Sequence, residues 1–156
     1  MSTGGGARAK SAATRPAAMT VEDLDVFLAR EFPQILDEVG RVSVEAADGA
    51  TVRVRLAVDD RHLRPGGTVS GPTQFFLADV AAFIGVLAAI GPVGLAVTTS
   101  ASINFLKKPA PAELVAETRI LKHGKRLIVV DCIIHSDGDA DPVAHAVLTY
   151  SIPQAK

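Results

Sequence analysis

Residues 64–83 read RPGGTVSGPTQFFLADVAAF, a turn rich in glycine and proline followed by an apolar run. Proline suits the first turn of a helix, because its φ angle is already helical and its missing N–H would have no partner there. The apolar run continues to Ile90 and meets Gly91-Pro92-Val93-Gly94, a sequence that ends helices. These features predict a helix from Thr73 to Ile90 that is ~27 Å long at ~1.5 Å per residue.

The predicted helix carries one acidic side chain, Asp79, among apolar neighbours. An ionised carboxylate in such surroundings is costly unless it is hydrogen-bonded, paired or used chemically. The first turn of a helix offers free N–H groups that favour a carbonyl oxygen or an anion. The combination indicates a catalytic site, and a hydrogen bond from Asp79 to a neighbouring strand or subunit is the structural alternative.

The same helix has the length of a membrane span. Against that interpretation, Asp79 would cost about 2.5–3.5 kcal/mol at the centre of a bilayer. The chain has 156 residues and 48% hydrophobic content, which suits one domain with one core. In such a domain, a helix that is apolar on all of its sides is a buried core helix, so we expect no membrane partner.

The composition also limits the ligands and partners that the protein is expected to bind. The net charge of -1 and an aromatic content of 4% argue against nucleic acid as a ligand. The single cysteine, Cys132, cannot form an intrachain disulfide and lies in an apolar run, so a small core side chain in a reducing cytoplasm is expected. No metal is expected, because four residues lack the close spacing of a zinc site: His62, His123, His135 and His145.

The N-terminal segment, residues 1–18, contains no acidic residue and is rich in Gly, Ala, Ser and Arg. We interpret it as a disordered tail, because it lacks both the amphipathic stripe of a transit peptide and the apolar core of a secretory signal. Thr20 is placed to cap a helix whose apolar stripe includes Leu24, Phe27 and Leu28, and Pro33 should end that helix. A single domain is therefore expected over residues 19–156.

Strand patterns occupy the rest of the chain. Residues 41–47 and 51–58 alternate around Asp48-Gly49, which is a strong hairpin signal. Four more apolar runs follow the central helix, at residues 95–105, 113–122, 126–135 and 143–152. Their connections are too short for parallel crossovers, so the sheet should be antiparallel and mostly a meander. The predicted class is α+β, with a curved antiparallel sheet wrapped around one long central helix.

This order of elements, from Arg41 to Pro153, resembles the hotdog-fold acyl-CoA thioesterases, and specifically their phenylacetate-degradation (PaaI-like) group. That family has the pattern Asn-x-x-Gly-x-x-His-Gly-Gly before a helix that reads Leu-Ala-Asp. The corresponding residues here are Arg64, Gly67, Ser70, Gly71 and Pro72, followed by Leu77-Ala78-Asp79.

The resemblance implies an acyl-CoA thioesterase that hydrolyses small, medium or aromatic acyl-CoA thioesters to free acid and CoA. Asp79 would attack the thioester directly or activate a water molecule, the N–H of Gly71 would polarise the thioester carbonyl, and Thr99 would position water. CoA is then part of the substrate and no cofactor is required. In isolation, a threonine in a strand is more often an ordinary sheet residue.

Three positions depart from the family pattern. Arg64 replaces the Asn and either pairs with Asp79 or binds a substrate carboxylate or a CoA phosphate. Ser70 replaces the His, and Pro72 has no N–H, so the carbonyl donor is Gly71 or Thr73. The expected substrate-binding residues are Arg64, Ser70, Gln74, Phe75 and Phe83. Because of these replacements, the alternative is a protein that binds an acyl-CoA or a carboxylic acid without catalysis.

A basic turn at residues 122–126 suggests where the coenzyme binds. The resemblance implies that this turn and the two lysines after the apolar run 95–105 reach the CoA phosphates; the residues are Lys107, Lys108, Lys122, Gly124, Lys125 and Arg126. A solvated turn that keeps the sheet soluble is the alternative. The resemblance also implies a homodimer with a continuous sheet, paired further into a homotetramer, and an active site between subunits.

Overall fold

The computed structural model describes residues 16–37 and 41–154. It contains two α-helices and six strands; these are α1 Val21–Glu31, β1 Val42–Ala47, β2 Thr51–Leu56, α2 Gly71–Ile90, β3 Val97–Phe105, β4 Leu114–His123, β5 Leu127–Ser136 and β6 Pro142–Ser151. Short 3-10 turns lie at Pro33–Ile35 and Asp60–His62. Most of the predicted disordered tail lies outside the described residues. At its end, the Ala18 N–H donates to the Ala88 oxygen at 2.8 Å.

The described strands form one antiparallel sheet in the order β1-β2-β4-β5-β6-β3. The predicted meander is present in β4, β5 and β6, but β3 does not lie beside β2 or β4. The intervening α2 has 20 residues, ~30 Å at ~1.5 Å per residue, and it contacts all six strands. The helix carries the chain across the sheet, so β3 pairs with β6 at the far edge. The curved sheet around one long helix is the hotdog architecture that the resemblance implies.

Local chemistry sets the ends of α2. Ser70 is its N-cap, and its hydroxyl accepts a hydrogen bond from the Thr73 N–H. Gly91 ends the helix at a φ of 102°, which glycine adopts without strain. By its length and apolar composition alone, α2 could span a membrane, but most of its residues are buried in the core. The prediction of a core helix is confirmed.

The first helix, α1, begins as the sequence predicts. Thr20 and Asp23 form a capping box, with each side chain bonded to the other's backbone N–H. Leu24, Phe27 and Leu28 are buried. The helix packs against β1 and α2, which places its C-terminal end beside the middle of α2.

The β3 strand is an edge strand that pairs with β6 on one side and with no described strand on the other, and almost all of its residues are exposed. Large apolar side chains are exposed on or near it and at the start of α2; these are Phe75, Leu95, Val97, Phe105 and Leu106. An edge with free backbone groups and an apolar margin is suited to pairing with another strand.

Candidate active site

The carboxylate of Asp79 is held by hydroxyl groups from two strands. Its Oδ1 accepts hydrogen bonds from Thr98 of β3 and Tyr150 of β6, each at 2.6 Å. The Tyr150 hydroxyl also lies 2.8 Å from the backbone oxygen of Asp79. Oδ2 has no partner among residues 16–37 and 41–154. Oδ1 therefore makes the hydrogen bonds to neighbouring strands that the sequence offered as the structural alternative, and Oδ2 is available to a ligand.

Asp79 lines an apolar cavity of about 500 Å³ between α1, α2 and the start of β3. Aromatic rings form much of its wall; these are Phe27, Phe32, Phe76, Phe83 and Tyr150. The rings of Phe32 and Phe83 meet edge to face at 6.2 Å, and those of Phe83 and Tyr150 are stacked at 6.3 Å. The predicted substrate residue Phe83 thus lies beside Asp79. An apolar acyl group is the kind of ligand that such a cavity accommodates.

Tyr150 is a permanent hydrogen-bond donor in this cluster. Burial raises the pKa of its phenol above the ordinary value, and the hydrogen bond to Asp79 and the negative charge of Asp79 raise it further. The Thr98 hydroxyl opposes this shift in pKa to a smaller extent. The phenol therefore keeps its proton throughout the neutral range.

The start of α2 has one unused N–H in its first turn. Pro72 has no N–H, the Thr73 N–H donates to the Ser70 hydroxyl at 3.3 Å, and the Gln74 N–H donates to the Ser70 oxygen at 3.2 Å. The Gly71 N–H has no partner within the described part of the chain. Of the two carbonyl donors left open by the sequence, Gly71 is the free one.

A second cavity, of about 400 Å³, opens beside Gly71. It is lined by Arg64, Gln74, Phe105, Lys107 and Lys108, and no acidic residue among those described lines it. Lys107 is bonded to Asp139 at 2.8 Å, which raises the pKa of the lysine. The buried Gln74 donates to the Val69 oxygen at 3.3 Å, while its own Oε1 has no partner in the described structure. This cavity is electropositive.

The predicted substrate-binding residues Arg64, Ser70 and Phe75 do not line the cavity that contains Asp79. Arg64 is exposed and forms no ion pair with Asp79, because the two lie in different cavities. Ser70 acts as a helix cap. Phe75 is 40% exposed and lines neither cavity. These positions stay predictions for substrate binding.

The strand hydroxyl that contacts Asp79 is that of Thr98, whereas the family resemblance implied Thr99. A β-bulge lies between Thr98 and Ser100, so that Thr98 pairs with Tyr150 and Ser100 with Thr149. Thr99 is the extra residue, and its hydroxyl donates to the Thr149 oxygen at 3.2 Å. Tyr150 was missed as well. Its only sequence signal is its place in the alternating pattern of β6, which puts it on the helix side of the sheet.

Within one chain the expected catalytic pair is separated. Asp79 follows Gly71 by eight positions along α2, which is ~12 Å along the helix axis. A single thioester carbonyl must lie ~3 Å from both its attacking group and its hydrogen-bond donor. A single chain therefore does not bring Gly71 and Asp79 to the same carbonyl.

The predicted coenzyme cations also form two groups. The β4–β5 turn lies at the end of the sheet where Leu127, Ser151 and Val97 are paired across three strands. This turn holds the exposed Lys122, Lys125 and Arg126 with Gly124. Lys107 and Lys108 follow Phe105 at the opposite end. A β3 strand of nine residues, ~30 Å long, separates the two groups.

The single cysteine is not placed for chemistry. Burial raises the pKa of the Cys132 thiol to about 12, so the side chain is an inert part of the core. No cluster of three or more His, Cys, Asp or Glu side chains suited to a metal ion occurs in the part of the chain that the structure describes.

The curved antiparallel sheet around the long helix α2 is the architecture of the hotdog-fold thioesterases. The sequence profile of the Thioesterase superfamily matches residues 66–143, from the turn before α2 to the start of β6. This match covers half of the chain, and the chain belongs to that superfamily.

Individual relatives agree with this class. A solved protein from Silicibacter sp. TM1040, named "putative thioesterase", is 43% identical, with a TM-score of 0.81, and covers 91% of this chain and 97% of its own. A Streptococcus mutans UA159 protein solved with bound acetyl CoA is 25% identical, with a TM-score of 0.64, over 74% of this chain and 90% of its own. A Saccharolobus solfataricus protein named "putative esterase" is 28% identical over 86% of each chain.

Proposed function

We propose that this protein hydrolyses acyl-CoA thioesters at a site shared by the two subunits of a homodimer. The observation that carries the proposal is that Asp79 lines an aromatic cavity with its Oδ2 free, while its Oδ1 is fixed by Thr98 and Tyr150. A carboxylate that is oriented on one side and free on the other is suited to act as a base or a nucleophile.

A dimer supplies the carbonyl donor that one chain lacks beside Asp79. Antiparallel pairing of two β3 strands about a two-fold axis sets the Val97 end of one strand against the Phe105 end of the other. The Phe105 ring lies against Gly71, where a Cβ would be only 3.4 Å from the ring. Thr98 lies next to Val97 and contacts Asp79. The same pairing brings Gly71 of one subunit towards Asp79 of the other.

The pairing also closes the gap between the two groups of cations. Lys107 and Lys108 of one subunit approach the sheet end that carries Lys122, Lys125 and Arg126 of the other. The same two-fold pairing therefore brings Gly71 towards Asp79 and brings the two groups of cations together. It also covers the exposed apolar side chains beside β3. Phosphates of CoA would bind these cations. Gly124 allows the tight turn, since a Cβ there would be 2.8 Å from the Leu127 oxygen.

Hydrolysis then follows one of two routes through Oδ2. As a base, Oδ2 takes a proton from water, whose oxygen bonds to the thioester carbon; the C–S bond breaks and the proton passes to the CoA thiolate. As a nucleophile, Oδ2 itself bonds to the carbon and CoA thiolate leaves; water then bonds to the same carbon, the bond to Oδ2 breaks to restore the carboxylate, and a proton from that water passes to the thiolate. In both routes the Gly71 N–H stabilises the charge on the carbonyl oxygen.

The aromatic cavity favours small, medium or aromatic acyl groups, as in a PaaI-like enzyme. A cytoplasmic location supplies CoA esters and fits the reduced, buried Cys132. The Streptococcus mutans relative with bound acetyl CoA supports a CoA thioester as the ligand.

Thiol release from short, long and aromatic acyl-CoAs tests the proposal. We expect turnover that falls at least about 100-fold in Asp79→Asn. Asp25→Asn is the matched control, because Asp25 lies on the exposed side of α1 and lines neither cavity. Thioesters of N-acetylcysteamine, which lack the phosphates of CoA, should have a higher KM than the CoA esters. Full activity in Asp79→Asn would exclude the assignment of Asp79. CoA ester binding without any turnover would instead identify the binding-protein alternative.

A further inference from the structure

We infer that Tyr150 is a positioning residue whose hydroxyl fixes the Asp79 carboxylate, together with Thr98, so that Oδ2 alone is the reacting oxygen. The inference rests on the proposed function, since it concerns the same carboxylate. It assigns a role to a side chain on the last strand, 71 residues from Asp79 along the chain.

The geometry around Oδ1 carries the inference. A carboxylate can rotate about two side-chain bonds, and a catalytic group that deviates by ~10–20° from the productive orientation loses much of its rate. Two hydroxyls at 2.6 Å approach the same oxygen from β3 and β6. These strands are paired at Thr98 and Tyr150, so the two donors have a fixed separation. The carboxylate is thereby held in one orientation.

Tyr150 itself has little freedom. The residue is 3% exposed, its ring stacks on Phe83, and its hydroxyl contacts both the side chain and the backbone oxygen of Asp79. A phenol has one proton, so the hydroxyl can donate fully to only one of these two acceptors at a time. The proton is shared between the acid and the helix that carries it. Tyr150 therefore ties the orientation of Asp79 to the position of α2.

The test compares Tyr150→Phe and Thr98→Val with Thr98→Ser, all in the full-length protein with an acyl-CoA that the wild type hydrolyses. We expect kcat to fall about 10- to 100-fold in Tyr150→Phe while KM stays within about twofold, because substrate binding does not use the phenol hydroxyl. Thr98→Val should behave similarly, and Thr98→Ser, which keeps a hydroxyl, should recover most of kcat.

A double-mutant cycle separates positioning from a general loss of structure. If Tyr150 acts through Asp79, then Tyr150→Phe in the Asp79→Asn background should change the remaining activity by less than about twofold. A full additional loss there, or wild-type kcat in Tyr150→Phe alone, would overturn the inference. The proposed function fails separately, when Asp79→Asn itself keeps full activity.

The chain also provides a spectroscopic measurement of the contact. It has one tyrosine and no tryptophan, so phenolate absorbance during an alkaline titration reports Tyr150 alone. We expect phenolate to form at lower pH in Asp79→Asn than in the wild type, because the neighbouring negative charge is gone. The same titration curve in both proteins would mean that the hydrogen bond is absent in solution. If Tyr150→Phe does not fold, this measurement and Thr98→Val still decide the inference.

Discussion

Gly71 is a residue at which a single N–H is expected to decide activity. Neighbouring donors are occupied or missing, since Ser70 binds the Thr73 N–H and Pro72 has none. Gly71→Pro removes the N–H but suits the first helical position, and Ser70 already has the extended φ and ψ that precede proline. We expect kcat to fall about 100- to 1,000-fold, the usual cost of losing one oxyanion donor. Steady-state kinetics measure this loss.

Gly71→Ala is the matched control for that variant. Alanine adds a Cβ beside the Phe105 ring, as proline does, but keeps the N–H. A loss of less than about tenfold is expected, because only the packing against Phe105 changes. Equal losses in the two variants would assign the effect to that packing, and the oxyanion donor would have to be sought elsewhere.

Tyr150 also predicts how stability depends on pH. Its pKa in the folded protein is raised, mainly by burial, whereas in the unfolded chain the phenol loses its proton near its ordinary pKa of about 10. Above that pH the unfolded state binds fewer protons than the folded state, so stability falls as pH rises. The slope approaches about 1.4 kcal/mol per pH unit. Denaturant unfolding between about pH 9 and 11 should show this slope in the wild type.

The control for this prediction is Tyr150→Phe, which has no titratable group at that position. Subtracting its unfolding free energy from that of the wild type removes the contribution of the lysines, which titrate in the same range. A difference that is constant with pH would contradict the raised pKa of Tyr150.

Sequence and structure agree best on residues that local chemistry defines. The sequence singles out Asp79 and Gly71 as candidates because an acid in an apolar helix and a glycine before a helical proline are features that a few neighbouring residues show. Thr98 and Tyr150 contact Asp79 from strands that follow α2, and such long-range contacts have no local signal. The bulge after Thr98 adds to the difficulty, because it shifts the alternation on which a choice between Thr98 and Thr99 depends.

The same distinction holds for whole elements. The capping box of α1, the Asp48-Gly49 hairpin and the apolar α2 are set by neighbouring residues, and the structure confirms them. Asp48 fixes its turn by accepting from the Ala50 and Thr51 N–H groups. The place of β3 in the sheet was not predictable in this way. It depends on the path of α2 across the other strands, which no local pattern encodes.

The contact between α2 and β4 gives a stability prediction for these two elements. The Thr118 hydroxyl is buried against Gly85 and has no hydrogen-bond partner among the described residues. An unpaired buried hydroxyl costs roughly 1–3 kcal/mol, so Thr118→Val should raise the free energy of unfolding by about 1 kcal/mol. Chemical denaturation measures the change.

A second threonine provides the opposite case. The Thr51 hydroxyl donates to Asp48 at 2.9 Å, so Thr51→Val should lower the free energy of unfolding. If Thr118→Val destabilised the protein as much as Thr51→Val does, the Thr118 hydroxyl would have a partner in solution.

At the scale of the whole molecule, the separation of Gly71 from Asp79 and the exposed edge of β3 both support the proposed homodimer. Either feature alone has another explanation, since a helix can carry unrelated residues and an edge strand can remain solvated. Their coincidence is informative, because two-fold pairing of β3 moves the missing donor to the end of the strand where Thr98 and Asp79 lie. An oligomer of this kind has two equivalent sites, each built from both subunits.

Mixing two inactive variants tests that arrangement directly. Gly71→Pro and Asp79→Asn should each be nearly inactive alone, yet a heterodimer of the two holds one site with an intact Gly71 from one subunit and an intact Asp79 from the other. After random exchange of equal amounts, half of the dimers are mixed and each carries one good site, so about a quarter of wild-type activity should return. Co-refolding followed by thiol-release assays measures this recovery, with each variant refolded alone as its control. A site contained within one subunit would recover nothing, because every subunit in the mixture lacks either the donor or the acid.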